Sequence, residues 1–414
     1  MANNRGLAAG VRDVNSAALL DAVRRDGPTT RTELLQRSGL SKATVSVIVG
    51  DLLERGLIKE TGRLQQGRGR SRAVLEFDPA ARTVAGAQLN DEACEFVLTD
   101  LYGNPYHQHR VALPGTDPDR VLAAVADGFR TVRDAATSPV VGLGLGTPGN
   151  VDRDGRRVVV ALTHGWQDLP VADRLEDQLG IPVVIANRAK VAALGVIGHG
   201  QPDGPQDLIY VYLGSGIIAG IVIDRRLYFG RDGSAGDIGH VTVRADGELC
   251  NCGNRGCLHT YASQEAILGA VRSRLREAEH PEESILWQRT DGALASLTVP
   301  ILGEAAAAGD PIALAAVDQV GGSLGLVIAN LINTLNPDSV IIGGPTTGLG
   351  APLLAAIEAE VRRRALSESR RELQLSLTRE ENGPAGAAAL WLSRHLDDSY
   401  SLNRILSDEL EGTP

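Results

Sequence analysis

The sequence of 414 residues contains little sulfur, with four cysteines and one methionine. It also has no stretch of roughly 18 uninterrupted apolar residues, the length that a membrane-spanning helix needs. Its first residues, MANNRGLAAGVRDVN, lack the apolar core of a secretory signal peptide. These absences predict a cytoplasmic protein with no membrane partner, in which disulfides are not expected.

Charge is distributed unevenly along the chain. The formal net charge of −10 argues, as a single number, against a nucleic-acid partner. Residues 1–78, however, carry 13 Lys and Arg against 9 Asp and Glu, a net of +4, so the remainder carries −14. A polyanion would therefore bind at the N-terminal segment.

Residues 1–78 have the pattern of a winged helix-turn-helix domain. A helical apolar periodicity over residues 13–26 ends at a Gly-Pro pair, which breaks helices. Thr30 and Glu33 form a capping box that opens a short second helix. After a third helix, the segments LIKET and RAVLEFD predict two strands, joined by the loop GRLQQGRGRS, which we call the wing.

The third helix has the properties of a DNA recognition helix. Ser41 can cap its first turn. One face carries a buried apolar stripe made of Val45, Ile48, Val49, Leu52 and Leu53. The opposite face carries Lys42, Ala43, Ser46, Val47 and Gly50, with Thr44 beside them. Because these side chains are short near the start of the helix, that face can press into a major groove.

The wing suggests how DNA is bound. Its Arg-Gly-Arg tip can lie along a narrow A·T minor groove, where the negative potential is enhanced. Since one head contacts only a short half-site, we expect a homodimer or homotetramer on an inverted repeat in double-stranded DNA. A helical interaction module that does not bind DNA is the alternative. The predicted DNA-binding residues are Arg31, Ser41, Lys42, Thr44, Ser46, Arg63, Arg68 and Arg70.

Three of the four cysteines lie in one short segment. Cys250, Cys252 and Cys257 form a Cys-x-Cys-x4-Cys pattern, and His240 precedes them. Three sulfurs and one nitrogen match a closed tetrahedral zinc site, so we predict a structural Zn²⁺. Reduced thiols without metal are the alternative, and a redox role is disfavoured because no Cys-x-x-Cys pair is present. Cys94, in an apolar strand context, is expected to be a buried thiol.

From residue 79 onward, strands, glycine turns and helices alternate, which indicates an α/β architecture. Five segments of this C-terminal part are distinctive: VVGLGLGTPGNVD, LIYVYLGSGIIAGIVIDRRLYFG, GSAGDIGH, CNCGNRGC and LINTLNPDSVIIGGP. Together they resemble the ROK family of sugar kinases and transcriptional repressors, over residues 80–396, and the head resembles its repressor branch. The resemblance implies an actin-like fold with two lobes around a cleft, and a structural zinc at the cysteine cluster.

The resemblance also implies a division of the chain. The winged helix-turn-helix domain occupies residues 1–78. The first lobe spans 79–195 and is completed by a C-terminal helix at 385–396. The second lobe, with the zinc loop, spans 196–384, and residues 397–414 form a tail.

A kinase of this family would need residues that this chain has replaced. In the family, an aspartate after an asparagine takes the proton from the sugar hydroxyl. Here Asn187 is followed by Arg188, a permanent cation with no acceptor. The first phosphate loop, Asp-x-Gly-Gly-Thr in the family, reads QLNDE at residues 88–92, and its two carboxylates would repel phosphate. The second, Gly-Thr-Gly-x-Gly, reads GSGII at 214–218, where branched side chains obstruct a nucleotide.

The places that grip a sugar in the family are only partly retained. They hold, in this chain, Asn187, Asp237 with His240, His259 and Leu162. A neutral hexose is therefore less expected, because buried polar groups that lose their partners are costly. Arg188, Lys190 and His259 could instead complement a phosphorylated or carboxylated ligand. The predicted effector-binding residues are Asn187, Arg188, Asp237, His240 and His259.

These patterns predict a DNA-binding transcriptional regulator, a repressor, whose catalytically inactive body senses a sugar, sugar phosphate or other acidic metabolite. An active sugar kinase that also binds DNA is one alternative. In a third reading, Arg188 merely pairs with a nearby carboxylate, the cleft binds nothing, and regulation is independent of any ligand.

Overall fold

The protein is described by a computed structural model over residues 2–64, 72–198, 204–379 and 382–396. Its helices are α1 (Ala2–Asp26), α2 (Arg31–Ser38), α3 (Lys42–Glu54), α4 (Pro118–Asp134), α5 (Val171–Leu179), α6 (Arg188–Ile197), α7 (His259–Ala262), α8 (Gln264–Glu277), α9 (Ile285–Arg289), α10 (Val299–Ala307), α11 (Pro311–Leu335), α12 (Ala351–Arg364) and α13 (Gly383–Leu396). Its strands are β1 (Thr29–Thr30), β2 (Ile58–Leu64), β3 (Arg72–Phe77), β4 (Thr83–Leu89), β5 (Ala93–Thr99), β6 (Pro105–Ala112), β7 (Val140–Thr147), β8 (Asn150–Val151), β9 (Val158–Ala161), β10 (Trp166–Leu169), β11 (Val183–Asn187), β12 (Leu208–Leu213), β13 (Ile217–Ile223), β14 (Arg226–Leu227), β15 (Ser339–Gly343) and β16 (Gln374–Leu377).

Helices α1–α3 and strands β1–β3 form the head domain, and the predicted caps are present. The hydroxyl of Thr30 accepts a hydrogen bond from the amide of Glu33 at 3.3 Å, while the Glu33 carboxylate accepts one from the amide of Thr30 at 2.8 Å. Ser41 caps α3 by accepting from the amide of Thr44 at 3.1 Å. These side chains satisfy amides that a helix start leaves unpaired.

Two features of the head differ from the sequence prediction. Helix α1 begins at Ala2 rather than near Asp13, because the residues before Asp13 include good helix formers without a periodic apolar stripe. A short strand, β1, precedes α2 and pairs antiparallel with β3. Its two threonines are too few to show the alternation that marks a strand.

The head core is formed where α3 packs on α1 and β3. The predicted stripe of α3 is buried, except that Leu53 is only half-buried. It packs in one cluster with Leu19, Leu20 and Leu75. Burial of this stripe fixes which face of α3 points outward.

The head packs directly on the body. The ring of Phe77 lies 5.4 Å from that of Tyr102, measured between centroids. Buried residues of the head and of the adjoining lobe belong to one continuous apolar cluster, so α3 is held at a defined position relative to the body.

The body contains two five-stranded sheets of similar design, which confirms the two-lobed α/β architecture. Their strand orders are β11-β7-β4-β5-β6 and β14-β13-β12-β15-β16. In each sheet an antiparallel hairpin, β4–β5 or β12–β13, continues into parallel strands. A small sheet of order β10-β9-β8 stands beside the first lobe.

Two helices bring the lobes together. Helix α6 follows β11 of the first sheet and packs on β12 and β13 of the second. Helix α13 packs on α6 and on β4 and β7. The approach is so close that a Cβ atom at Gly144 would lie 1.8 Å from the carbonyl oxygen of Ala387. Cys94, as predicted, is fully buried, in the core of the first lobe.

Helix α11 is the one helix, among the described residues, that is long and apolar enough to cross a membrane by length and composition. It packs in the core of the second lobe, where Val320, Leu324 and Ile328 are buried. Its apolar character is accounted for by this packing.

Candidate functional sites

Apart from Lys42 in its first turn, the outward face of α3 is formed by short side chains. Lys42, Ala43, Ser46, Val47 and Gly50 are exposed, and Thr44 beside them is half-buried. Val47 keeps 58% of its surface exposed. A Cβ atom built at Gly50 would have no other heavy atom within 4 Å. The helix can therefore approach an opposing surface closely along this face.

Three of the predicted DNA-binding residues already bond within the head. The hydroxyls of Ser41 and Thr44 lie 2.8 Å apart. The guanidinium of Arg31 donates to the Glu60 carboxylate at 2.9 Å, and both side chains are about two-fifths exposed. If Arg31 contacts a DNA phosphate, that phosphate would replace Glu60 as its partner. The lost ion pair would cost little free energy, because both side chains are open to water.

The wing is described only at its base. Strands β2 and β3 pair antiparallel from Ile58 opposite Phe77 to Leu64 opposite Arg72. The main chain of Arg63 lies in β2. Arg68 and Arg70 lie outside the described residues, so the minor-groove contact stays a prediction.

The cysteine cluster forms a compact group of possible metal ligands. The ligand atoms of His240, Cys250, Cys252 and Cys257 all lie within 4.8 Å of one another. The Sγ atoms of Cys252 and Cys257 are 3.7 Å apart, and Cys250 Sγ is 3.7 Å from His240 Nδ1. Sulfur atoms about 2.3 Å from a tetrahedral zinc are separated by about 3.8 Å, so this spacing suits a single ion.

The loop that carries this group is fixed by its backbone. The amide of Cys250 donates to the carbonyl of Asn254 at 2.7 Å. Gly256 has a φ of +69°, and a Cβ atom there would lie 1.6 Å from the carbonyl oxygen of Arg244. Burial raises the pKa of Cys257 to about 12. A bound cation would therefore be needed to hold that thiol as a thiolate at neutral pH.

A cleft between the lobes brings together all five predicted effector-binding residues. Its lining comprises Gly149, Asn150, Val160, Ala161, Leu162, Thr163, Asn187, Arg188, Tyr212, Ser215, Gly216, Ile217, Ile218, Asp237, Gly239, His240, Asn251 and His259. Its volume is about 140 Å³, below the roughly 300–1,000 Å³ of pockets for drug-sized ligands. A small metabolite fits this space better than a nucleotide.

Lys190 does not contribute to the cleft, which corrects the expectation that it would complement a ligand. Its ammonium group is buried and donates to the carbonyl oxygen of Gly233. Burial lowers the pKa of Lys190. Lys190 therefore acts as a packing and hydrogen-bonding residue.

Several polar groups of the cleft are already oriented. The amide nitrogen of Asn187 donates to the carbonyl of Gly149 at 2.6 Å, and its oxygen accepts from the amide of Ala189 at 2.8 Å, capping α6. Asn150 donates to the carboxylate of Asp237 at 2.7 Å. Burial, followed by the nearby His240, lowers the pKa of His259, so His259 is neutral at neutral pH.

Arg188, at the position where the resemblance to the ROK family implies the base of a kinase, forms an ion pair inside the protein. Only 5% of Arg188 is exposed, and its Nη1 lies 3.2 Å from Asp91 Oδ1. Its guanidinium also stacks on the ring of Tyr212, 4.5 Å from the centroid. Asp91 belongs to the altered first phosphate loop, so one replaced kinase element is paired with another. The expected pairing with a nearby carboxylate is thus present, beside a cleft that remains open.

The sequence prediction missed five polar lining residues, Asn150, Thr163, Tyr212, Ser215 and Asn251. Ser215 could have been found, because it lies in the second glycine turn. Its hydroxyl oxygen is buried and has no hydrogen-bond partner in the part of the chain that the structure describes. In the same turn Ile217 and Ile218 line the cleft, as expected for an obstructed phosphate loop.

Comparisons with known proteins agree with both parts of the chain. The ROK family matches residues 85–394, and the MarR family matches residues 12–69. The xylose repressor of Caldicellulosiruptor bescii is 28% identical, over 86% of this chain and 89% of that protein. A glucokinase of Halalkalibacterium halodurans is 38% identical, over 53% of this chain and 66% of that enzyme.

A solved structure shares the whole arrangement. The crystal structure of a ROK family transcriptional regulator, a homologue of the E. coli MLC protein, is 27% identical and has a TM-score of 0.77. The similarity covers 96% of this chain and 99% of that one, so it includes the head and both lobes. Since the family match extends over well more than half of the chain, this protein belongs to the ROK family.

Proposed function

We propose that this protein is a DNA-binding transcriptional repressor whose body senses a small metabolite without phosphorylating it. The observation that carries the proposal is the exposed, short-chained face of α3 on a head fixed to a two-lobed body. A helix of this shape, capped and presented by a winged domain, suits the major groove. The similarity to a protein named a xylose repressor, over 86% of this chain, supports the same role.

The side chains of the cleft are the reason for proposing that the protein has no kinase activity. Arg188 has no acceptor for the proton of a sugar hydroxyl, and it holds Asp91 where a kinase would hold phosphate. The similarity to the glucokinase covers only about half of this chain. A body that keeps the kinase fold but has no catalytic base can bind a ligand without catalysing its phosphorylation.

We infer that a Zn²⁺ ion is held by His240, Cys250, Cys252 and Cys257. When bound, the ion would supply a structural cross-link, because four protein ligands leave no position for a reacting water. The loop includes His240, which also lines the cleft. The four residues would thereby position one wall of the effector site.

The protein is proposed to act in the cytoplasm as a homodimer or homotetramer on an A·T-rich inverted repeat. Support comes from geometry, since a single head spans one short half-site and two are needed for specificity in a genome. No membrane partner is proposed.

DNA binding is tested with the full-length protein and the intergenic DNA beside its own gene. Fluorescence anisotropy should show saturable binding to a fragment that contains an inverted repeat, and binding at least 1,000-fold weaker to a shuffled fragment of equal composition, as specific regulators show about that ratio. Equal affinity for both fragments at every salt concentration would refute the proposed function.

A further inference from the structure

Arg188 gives the cleft a fixed positive charge. Among the described lining residues it is the one Lys or Arg side chain. The carboxylate of Asp237 also lines the cleft, where it accepts a hydrogen bond from the amide of Asn150 at 2.7 Å, and its negative charge attracts the buried ammonium group of Lys190. A ligand that enters the cleft therefore meets a buried cation whose charge must be balanced.

The present counter-ion of Arg188 can be exchanged. Asp91 is 49% exposed in its side chain and lies in the turn between β4 and β5. The contact joins one guanidinium nitrogen to one carboxylate oxygen at 3.2 Å, longer than the roughly 2.7–2.9 Å of a strong charge-assisted bond. An anion inside the cleft could use the planar fork of the guanidinium in a bidentate pair, screened from water.

Ser215 supplies a second, independent indication of a ligand. Its hydroxyl oxygen is buried without a hydrogen-bond partner in the described structure, and Ser215 lines the same cleft as Arg188. Buried hydroxyls are normally hydrogen-bonded, so this one is suited to a group that arrives with the ligand. A hydroxyl can donate to an oxyanion, which Asp237 and the backbone carbonyls of the cleft cannot do.

We propose that the effector is an acidic, sugar-sized molecule whose carboxylate or phosphate binds Arg188 and Ser215 and displaces Asp91. The inference rests on the proposed function and names the ligand class of its cleft. Arg188 and Asp91 both belong to the first lobe, whereas Tyr212 and Ser215 belong to the second sheet. Binding therefore exchanges a contact within one lobe for contacts that join both lobes, which gives the ligand different interactions in the two states.

Calorimetric titration of the full-length, zinc-replete protein without DNA tests this proposal. The probes are four matched sets of three, each a neutral aldose with its uronate and its 6-phosphate, and the four aldoses are glucose, galactose, mannose and N-acetylglucosamine. At least one acid is expected to bind 100-fold more tightly than its neutral parent. Whether it is a uronate or a phosphate distinguishes the two sources of the anion.

Variants then assign the preference to the residues. Arg188→Met should abolish it, while Arg188→Lys, which keeps the charge and loses the fork, should retain part of it. Asp91→Asn removes the competing carboxylate and should tighten acid binding about tenfold. Arg231→Met, which removes an exposed cation outside the cleft, is the matched control and should change nothing.

The outcomes separate this proposal from the proposed function. Tighter binding of a neutral parent sugar, equal acid binding by Arg188→Met, or no acid binding by either the wild type or Asp91→Asn would each overturn the anionic effector. Operator binding is measured separately by anisotropy, so its loss would refute the regulator, whatever the titrations show.

Discussion

The guanidinium of Arg82 donates a hydrogen bond to the carbonyl oxygen of Arg55, 3.4 Å away. Arg82 immediately precedes β4 of the first lobe, and Arg55 is the C-cap of the recognition helix α3. The C-terminal end of a helix carries a partial negative charge, so a cation at that end is stabilising. This contact links the body to the orientation of α3.

Replacing Arg82 with methionine should weaken operator binding several-fold, because losing a partly exposed charged hydrogen bond costs about 1 kcal/mol. Effector affinity of the free protein should not change, since Arg82 is outside the cleft. Anisotropy and calorimetry measure the two effects. Arg110→Met removes an exposed arginine of the same lobe and is the control. Equal operator binding by the wild type and Arg82→Met would show that the contact does not orient α3.

Elemental analysis should find about one zinc ion per chain, since the four ligands satisfy one ion. Cys252→Ser should lower the zinc content and the melting temperature, because metal binding contributes to folding free energy. Cys94→Ala, at a buried thiol remote from the cluster, should keep its zinc. A chelator-washed protein with no zinc and an unchanged melting temperature would contradict the prediction.

No phosphotransfer is expected from ATP to hexoses or amino sugars, with a glucokinase as the positive control for the assay. The variant Arg188→Asp should remain inactive, because Asp91 and Glu92 still occupy the first phosphate loop and Ile218 the second. Chromatography of the sugar phosphates measures the outcome. ATP-dependent product above background, lost in a cleft variant, would show that the body is an enzyme.

Lys42→Ala and Ser46→Ala should each reduce discrimination between operator and random DNA. The expected loss is roughly 1–3 kcal/mol for a base contact. Both side chains are exposed on the outward face of α3, so neither change should alter the melting temperature. Competition anisotropy with specific and random DNA gives the ratio. An equal loss on both DNAs would mean that these residues contact phosphates only.

Arg70→Ala should weaken binding and flatten its dependence on salt, because fewer counterions are released when the wing loses a cation. Substituting G·C for A·T in the flank should cost the wild type more affinity than the variant, since an A·T tract narrows the minor groove. Titrations at several salt concentrations measure both effects. Equal flank effects on both proteins would place Arg70 away from that groove.

The features that could be predicted from the sequence are those that depend on residues close together in the chain. The caps at Thr30 and Ser41 and the four metal ligands depend on neighbours within one helix turn or one loop, and their spacing is visible in the chain. The alternation of strands, glycine turns and helices likewise indicated the α/β architecture, whereas the two lobes were implied by the resemblance to the ROK family.

The contacts within the cleft were not predictable in the same way. Arg188 and Asp91 are 97 residues apart, and Asn150 and Asp237 are 87 apart. Only the folded sheets bring them together. Lys190 was misassigned because residues i and i+2 of a helix do not share a face, so its side chain leaves the cleft that Arg188 lines.

Helix α13 imposes an order on the synthesis of this protein. Its Trp391 is fully buried against the first lobe, whose strands emerge from the ribosome long before it. At about 5–20 residues per second, the completed sheet waits roughly 10–40 s for the helix that covers it. During this interval the apolar surface that α13 covers in the complete protein stays open to water. A stop codon that truncates the chain before Gly383 would therefore remove a wall of the first lobe as well as the last helix.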